Sequence, residues 1–323
     1  MTSSYSAAFD WARRHVDAGR LPTAVLGIAT ADGVVALDAF GATNGRPAKT
    51  DDHYRLFSIT KPLLGLAAAR AVERGLLGIG TPLASVVPEF GDREDVVRLR
   101  HLVSHTAGIP EPPMDAPGLP ELLRAHGRDF AAGTVSRYST IAFQGVAELV
   151  THATGREWDA AIADWADGIG ADGLTLDEAS DPHLVVDAAE AGLDIDAFVA
   201  NRNPGAGLLG RASDLLALGS ALLRNDGSVV QPMTLAMMLR PFTGDIPRLD
   251  PYPAEAGQDW GFAWNLRTRA PSLIDRDVFG HAGWSGTEFW VHPTAGVAWV
   301  LLTNTAESPA NPDELDNAIV AGL

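Results

Sequence analysis

Cysteine is absent from this chain of 323 residues. Its absence excludes disulfides, thiolate catalysis and cysteine-ligated metal sites. No apolar run approaches the ~20 residues that a membrane-spanning helix needs, and we expect no membrane partner. Positive charge is also scarce, because 24 Lys and Arg stand against 41 Asp and Glu, which gives a formal net charge of −17. A chain this acidic is a poor candidate for binding nucleic acid or anionic membranes.

What is present is the composition of a folded globular protein, with 46% hydrophobic and 20% charged residues. The length suits one large domain or two interleaved domains. The N-terminus lacks a basic region followed by an apolar one, which a secretory signal would have. If Met1 is the native start, the sequence predicts a cytoplasmic protein.

The chain alternates between strand-rich ends and a helical middle. An Asp-Gly turn at 32–33 joins two predicted strands into a hairpin. Further strands are predicted towards the C-terminus, where Trp, Val and Phe are frequent. The predicted strands are Thr23–Ala29, Val34–Phe40, Phe262–Leu266, Phe279–His281, Thr287–His292 and Val297–Leu302. The predicted helices include Ile141–Ala153, Trp158–Ala166, Ala212–Leu223 and Pro312–Leu323.

This order predicts an α/β fold of the α+β kind. Strands from both ends of the chain would form one antiparallel sheet, flanked by the terminal helices, with an all-helical domain inserted. We assign residues 1–80 and 255–323 to the sheet domain and residues 81–254 to the helical domain. A cleft between two domains is a usual place for a small-molecule site, and we expect the active site there.

Ser58 and Lys61 form the most informative motif. Pro62 and the apolar run after it predict a helix that begins near Ser58, since proline is tolerated in a first helical turn. Residues three apart share a helix face, with Cβ atoms roughly 5–6 Å apart, so the Lys61 amine can reach the Ser58 hydroxyl. The pair then reads as a nucleophile with its own base. The alternative is a serine that caps the helix and a solvated lysine.

Two other motifs carry groups that could join this pair. Tyr138, in the sequence Tyr-Ser-Thr, precedes a predicted helix and could relay protons or act as a base; the alternative is a half-buried core tyrosine. Residues 281–284, His-Ala-Gly-Trp, follow a strand, and their glycine allows an acyl group to approach a free N–H that could stabilise an oxyanion. The alternative there is a hairpin turn whose histidine faces solvent.

Other motifs are incomplete. His101 and His105 have the spacing of helical metal ligands, but no glutamate stands between them as in H-E-x-x-H. Residues 283–286, Gly-Trp-Ser-Gly, do not match G-x-S-x-G. We therefore predict no metal site and no cofactor.

In this order, the three motifs resemble those of the serine β-lactamase and penicillin-binding protein superfamily: S-x-x-K, Y-x-N or S-x-N, and K/H-x-G. The tyrosine of the second motif resembles the class C branch, which also holds family VIII carboxylesterases and D-aminopeptidases. The stretch LVSHTAGI at 102–109, residues 204–215 and WGFAW at 260–264 are similar to stretches of that branch. The resemblance covers about residues 20 to 305 and implies a β-lactamase-like fold.

The resemblance also implies roles for single residues. Ser58 would be the acylated nucleophile, and Lys61 its base or a holder of its proton path. Tyr138 would activate Ser58 or the deacylating water. The N–H groups of Ser58 and Trp284 would form the oxyanion hole, while His281 would interact with Tyr138 or with a substrate carboxylate.

The remaining substrate-binding candidates are Thr140, Ala282 and Gly283. Thr140 departs from the family pattern, because an asparagine with a longer amide side chain is usual there. His281 replaces a lysine and lowers the fixed positive charge available to a substrate carboxylate. The departure at Thr140 weakens the case for amides and β-lactams more than the case for esters.

The sequence therefore predicts a serine hydrolase that cleaves small-molecule esters through an acyl-enzyme. A β-lactamase, a D-amino-acid peptidase or an acyltransferase using the same site is the alternative. From a different class, a sensor that is acylated without turnover stays open.

Overall fold

An eight-stranded antiparallel sheet forms the centre of the fold in this computed structural model, which describes residues 5–91, 95–125, 127–249, 258–268 and 273–323. Its strands are β1 (Thr23–Thr30), β2 (Gly33–Thr43), β3 (Arg46–Pro47), β6 (Asp259–Trp260), β7 (Asn265–Leu266), β8 (Phe279–Ala282), β9 (Glu288–His292) and β10 (Val297–Leu302). Their spatial order is β3-β2-β1-β10-β9-β8-β7-β6. A separate pair joins β4 (Tyr54–Arg55) and β5 (Leu209–Gly210).

Helices fill the middle of the chain and both of its ends. They are α1 (Ser6–Asp17), α2 (Thr60–Glu73), α3 (Leu99–Val103), α4 (Leu119–Ala125), α5 (Ala142–Thr154), α6 (Trp158–Ala166), α7 (Ile195–Ala200), α8 (Ala212–Arg224), α9 (Pro232–Met238) and α10 (Pro312–Val320). Within the described ranges, no helix has the length and apolar character needed to cross a bilayer.

Strand β1 joins the two ends of the chain in one sheet. It pairs with β2 on one side and with β10 on the other, both antiparallel. The turn between β1 and β2 uses Gly33 at φ +125°, a conformation that residues with a Cβ rarely adopt. The predicted hairpin and the predicted pairing of N- and C-terminal strands are confirmed.

The terminal helices cover one face of this sheet. Trp11 of α1 and Leu315 and Ile319 of α10 belong to the same buried cluster as Trp299 of β10. The indole Nε1 of Trp299 donates to Asp316 Oδ1 at 3.1 Å, which ties β10 to α10. Burial of several large apolar side chains, each contributing about 1.5–3 kcal/mol, holds this layer in place.

Helix α8 packs on the opposite face, where it contacts β1 and β10. The approach is close at Gly219, since a Cβ there would lie 2.6 Å from the Cβ of Ala298. This helix falls within residues 81–254, assigned above to the helical domain, although it lies on the sheet. The proposed boundary between 254 and 255 lies outside the described residues, and the two-domain division stays a prediction.

Helix α2 is buried on every side. All ten residues from Thr60 to Ala69 are buried, and the helix packs against α5 and α6. A helix that is apolar all round belongs in a core, and residues 60–69 of α2 fit that rule except at Thr60 and Lys61. The position of α2 therefore places a lysine where water does not reach it.

The strand predicted at Phe262–Leu266 is wrong as a single element. Strands β6 and β7 are joined by a tight turn in which Gly261 N–H donates to Trp264 O at 2.9 Å and Ala263 has φ +67°. Ala263 N–H also donates to Val103 O at 3.0 Å, at the end of α3. The aromatic residues of this segment reflect burial and not strand structure, because Phe262 and Trp264 are both core residues.

We expect Gly219→Ala to lower the free energy of unfolding by about 1–2 kcal/mol. Added volume in a packed contact costs typically about 1–3 kcal/mol, which exceeds the about 0.5–1 kcal/mol that alanine gains over glycine in a helix. Urea unfolding followed by circular dichroism measures the change. Gly168→Ala is the control, since a Cβ there meets no atom within 4 Å. Equal stability of the two variants would contradict the close packing of α8 on β10.

Candidate active site

Ser58 lies in a three-residue 3₁₀ helix, Phe57–Ile59, that leads into α2. Pro62 stands in the first turn of α2, as predicted. The N-cap position is Ile59 and carries no side-chain capping bond. The Ser58 hydroxyl instead accepts a hydrogen bond from Lys61 Nζ at 3.0 Å, so the capping alternative is excluded.

The residue before Ser58 has an unusual backbone conformation. Phe57 has φ +43°, which is uncommon for a bulky residue and costs on the order of 1–3 kcal/mol. Its ring packs against Phe198 and Trp284, with ring centroids 5.2 Å apart in both cases. Packing therefore holds the turn that presents Ser58, and strain of this kind often accompanies a functional site.

Lys61 is the centre of the polar contacts and is fully buried. Its Nζ donates to Ser58 Oγ at 3.0 Å, to Thr140 Oγ1 at 3.3 Å and to Gly205 O at 2.9 Å. Burial lowers the pKa of Lys61 to about 7, and the negative charge of Glu111 opposes that shift. A large share of the amine is thus neutral near pH 7 and able to accept the Ser58 proton.

Tyr138 of the second motif lies against Lys61 through its ring. Lys61 Nζ stands 4.7 Å from the ring centroid, and a cation over an aromatic face is favoured. The ring stacks on His105 at 4.3 Å, and His105 Nδ1 accepts a hydrogen bond from Ser139 N–H at 3.1 Å. His105 therefore holds the second motif in place through its contacts with Tyr138 and Ser139.

Glu111 was not among the predicted site residues. It is exposed, and its Oε2 accepts hydrogen bonds from Thr140 N–H at 2.6 Å and from Ile141 N–H at 3.2 Å. These donors stand just before α5. The Glu111 carboxylate thus fixes the backbone of Thr140, whose hydroxyl accepts a hydrogen bond from Lys61.

Gly205 is a second contact that the sequence did not predict. Its carbonyl accepts from Lys61, while its N–H donates to Asn203 Oδ1 at 2.9 Å. A Cβ at this position would lie 2.9 Å from Thr140 O, so only glycine permits this approach. The stretch 204–215 was noted for its resemblance to the family, which was the available signal.

His281 of the third motif is 1% exposed, which excludes the solvent-facing alternative. Its Nδ1–H donates to Ala282 O at 2.7 Å, since a carbonyl can only accept. Its ring centroid lies 6.1 Å from that of Tyr138. Burial, followed by the charge of Lys61, lowers the pKa of His281 to about 3, so the imidazole is neutral at pH 7.

Gly283 brings the third motif against the segment that precedes Ser58. A Cβ on Gly283 would lie 2.5 Å from Leu56 O. Its N–H donates to Thr287 O at 2.7 Å, which holds the turn between β8 and β9. Trp284 follows directly, and its ring touches that of Phe57. The end of β8 is therefore packed beside the start of α2.

The structure brings the predicted residues together from three distant parts of the chain. Ser58, Lys61 and Thr140 share hydrogen bonds, and rings connect Tyr138 and His281 to them. His101 and His105 do not lie on one helix as their spacing suggested, because α3 ends at Val103 and His105 has φ +58°.

The Beta-lactamase family model matches residues 9–323. The chain belongs to the Beta-lactamase family. Esterase EstB of Burkholderia gladioli is 28% identical over 331 residues, covering 81% of this chain and 80% of EstB. Two solved structures have the same fold with a TM-score of 0.80. EstCE1, described as a hydrolase with promiscuous acyltransferase activity, is 22% identical and covers 98% of both chains. A family VIII carboxylesterase is 20% identical and covers 99% of this chain and 98% of its own.

These findings confirm the predicted superfamily and the predicted α/β fold. This Beta-lactamase family member also has a cavity of about 710 Å³, and its lining does not include Ser58 or Lys61. Its lining comes from Asp115 and residues between 185 and 196. Leu193 belongs both to that lining and to the cluster that packs Phe57 and Trp284.

We expect Gly283→Ala to lower kcat on the order of 10²-fold while the protein stays folded. The added methyl would push the end of β8 away from Leu56 and disturb the N–H groups available to an oxyanion. Steady-state hydrolysis of p-nitrophenyl acetate measures the loss, and circular dichroism checks the fold. Gly80→Ala is the control, as its Cβ would meet open space. Unchanged kcat in Gly283→Ala would argue against the oxyanion function of this turn.

We also expect kcat/KM to fall as the pH is lowered through about 7. Burial disfavours the charged amine and so lowers the Lys61 pKa to about 7. Above that pH the amine is neutral and accepts the Ser58 proton, while below it the ammonium cannot. A pH–rate profile of ester hydrolysis measures this limb. A rate that does not change between about pH 6 and pH 8 would exclude Lys61 as the titrating base.

Proposed function

We propose that this protein is a serine hydrolase that cleaves small-molecule esters through an acyl-enzyme on Ser58. The observation that carries the proposal is the fully buried Lys61, whose Nζ lies 3.0 Å from Ser58 Oγ and 3.3 Å from Thr140 Oγ1. A serine hydroxyl becomes a nucleophile when an adjacent base takes its proton, and this geometry supplies that base. The similarity to an esterase over four-fifths of the chain supports the proposal.

In the acylation step, neutral Lys61 accepts the proton of Ser58 Oγ as the oxygen attacks the ester carbonyl carbon. The C–O bond to the alcohol then breaks, and the proton on Lys61 passes to the leaving oxygen, directly or through Tyr138. We propose that the Tyr138 hydroxyl takes part in this relay, and the Tyr138 ring centroid lies 4.7 Å from Lys61 Nζ.

The N–H groups of Ser58 and Trp284 form the proposed oxyanion hole. The close approach of Gly283 to Leu56, whose O would lie 2.5 Å from a Cβ on Gly283, supports this pairing of donors. A water molecule then attacks the acyl carbon while the same base accepts its proton. The bond between the acyl carbon and Ser58 Oγ breaks, the base returns the proton to Oγ, and the carboxylic acid leaves. Preorganised N–H donors of this kind contribute about 3–4 kcal/mol to transition-state stabilisation.

Thr140 favours an ester over an amide substrate. Its Oγ1 accepts a hydrogen bond from Lys61 and carries one proton of its own. An asparagine at this position could accept from lysine and still donate and accept towards a substrate amide. Threonine offers fewer hydrogen bonds to the substrate. An ester has no N–H and therefore needs fewer of them.

His281 gives a second reason for the same preference. It is buried and neutral, because its pKa is lowered to about 3. A lysine in this place would attract the carboxylate that β-lactams carry, whereas a neutral imidazole provides no such charge. We therefore expect uncharged esters to be better substrates than penicillins and cephalosporins.

The space for the substrate lies between the third motif and α7. Trp284 is half-buried there, and its ring packs on Phe57, which is fully buried together with Phe198. We propose that Trp284 contacts an apolar acyl or alcohol group, with Ala282 and Gly283 bordering the carbonyl. The mechanism invokes no metal or cofactor. A cytoplasmic location and the lack of nucleic-acid and membrane partners stay predictions from the sequence.

We expect p-nitrophenyl acetate and butyrate to be hydrolysed with little turnover of a chromogenic cephalosporin. Ser58→Ala should abolish ester turnover, and Lys61→Ala and Tyr138→Phe should each lower it by on the order of 10²-fold or more, because each handles protons. Steady-state absorbance assays with both substrates, run beside the wild type, measure these effects.

The outcomes separate the alternatives. Near-normal activity of Ser58→Ala would reject Ser58 as the nucleophile. Efficient cephalosporin turnover would make the protein a β-lactamase. A stoichiometric burst of nitrophenol with no steady state would support a sensor that is acylated without turnover.

A further inference from the structure

Glu111 connects the surface of the protein to the buried amine of Lys61. Its Oε2 accepts two N–H groups, from Thr140 and Ile141, immediately before α5. The first N–H groups of a helix lack intrahelical acceptors and carry a partial positive charge, which a carboxylate satisfies. Glu111 therefore anchors the second motif from a segment 29 residues earlier in the chain.

The contact continues to the nucleophile in two further steps. Glu111 holds the backbone of Thr140. The Thr140 Oγ1 in turn accepts a hydrogen bond from Lys61 Nζ at 3.3 Å. Lys61 in turn donates to Ser58 Oγ at 3.0 Å. The chain of contacts runs from Glu111 through Thr140 and Lys61 to Ser58.

The groups that face Lys61 differ in charge. His105 and His281 are buried imidazoles whose pKa is lowered by burial, so they are neutral at pH 7. Tyr138 presents its ring, and Ser58 and Thr140 present hydroxyl groups. Among the described residues, the negative charge that acts on Lys61 is that of Glu111.

We propose that Glu111 is a positioning residue that fixes the backbone of Thr140 and, through its charge, sets the pH range in which Lys61 can accept the Ser58 proton. The inference rests on the proposed function of Ser58 and Lys61. A negative charge favours the ammonium form of Lys61 and so raises its pKa against the larger effect of burial. Removing the charge while keeping the hydrogen bonds should let the amine deprotonate at lower pH.

The test compares Glu111→Gln with Glu111→Ala by pH–rate profiles of p-nitrophenyl acetate hydrolysis. The glutamine carbonyl can still accept both N–H groups, so we expect its plateau kcat to stay within about 3-fold of the wild type. Its acid limb should move to lower pH by roughly 0.5–1 unit. In Glu111→Ala the same shift should come with a kcat lowered about 10-fold, because two N–H groups lose their acceptor.

Glu121→Gln is the matched control, since it removes one carboxylate from the exposed side of α4. Its acid limb should coincide with that of the wild type. The inference is overturned if the acid limb of the Glu111→Gln pH–rate profile stays at the pH of the wild type. A raised KM together with an unshifted acid limb would instead make Glu111 a substrate contact.

Mass spectrometry of the acylated protein distinguishes this failure from failure of the proposed function. If Ser58 is acylated normally and the limb does not move, only the assignment of Glu111 is rejected. If Ser58→Ala remains active, the proposed function itself is rejected.

Discussion

The burial of the Lys61 amine is the constraint on which the rest of the site depends. An ammonium transferred from water into a protein core is costly unless it is hydrogen-bonded or loses its charge. Here both occur, because Ser58, Thr140 and Gly205 offer oxygens to Nζ and burial moves the pKa to about 7. Helix α2, buried on all sides, makes this possible. The same contacts that stabilise the amine also place it against the nucleophile.

Much of this could be predicted from the sequence, because the decisive relations are local. Ser58 and Lys61 are three residues apart, and Pro62 places the start of the helix. Strand Val297–Leu302 and helix Trp158–Ala166 were predicted residue for residue, since the strand is a continuous apolar run after a turn and the helix has helical periodicity. The order of three motifs led to the superfamily, which the family match confirms.

The missed features depend on contacts between distant segments. Glu111 reaches Thr140 across 29 residues, and Gly205 reaches Lys61 across 144. Gly205 contributes a backbone carbonyl, which every residue type has, so its side chain gives no signal of this contact. The turn at 261–264 was mistaken for a strand because Phe262 and Trp264 indicate burial, and burial does not distinguish a strand from a tight turn.

The pairing of β1 with β10 has a consequence for how the chain is made. The two strands lie side by side in the sheet but come from opposite ends of the chain. During synthesis, β1 leaves the ribosome long before Val297–Leu302 exists, so one edge of an apolar strand stays unpaired. Contacts of such high sequence separation slow folding and expose intermediates to mispairing. The nascent chain therefore keeps an apolar strand edge open until nearly all of the protein has been made.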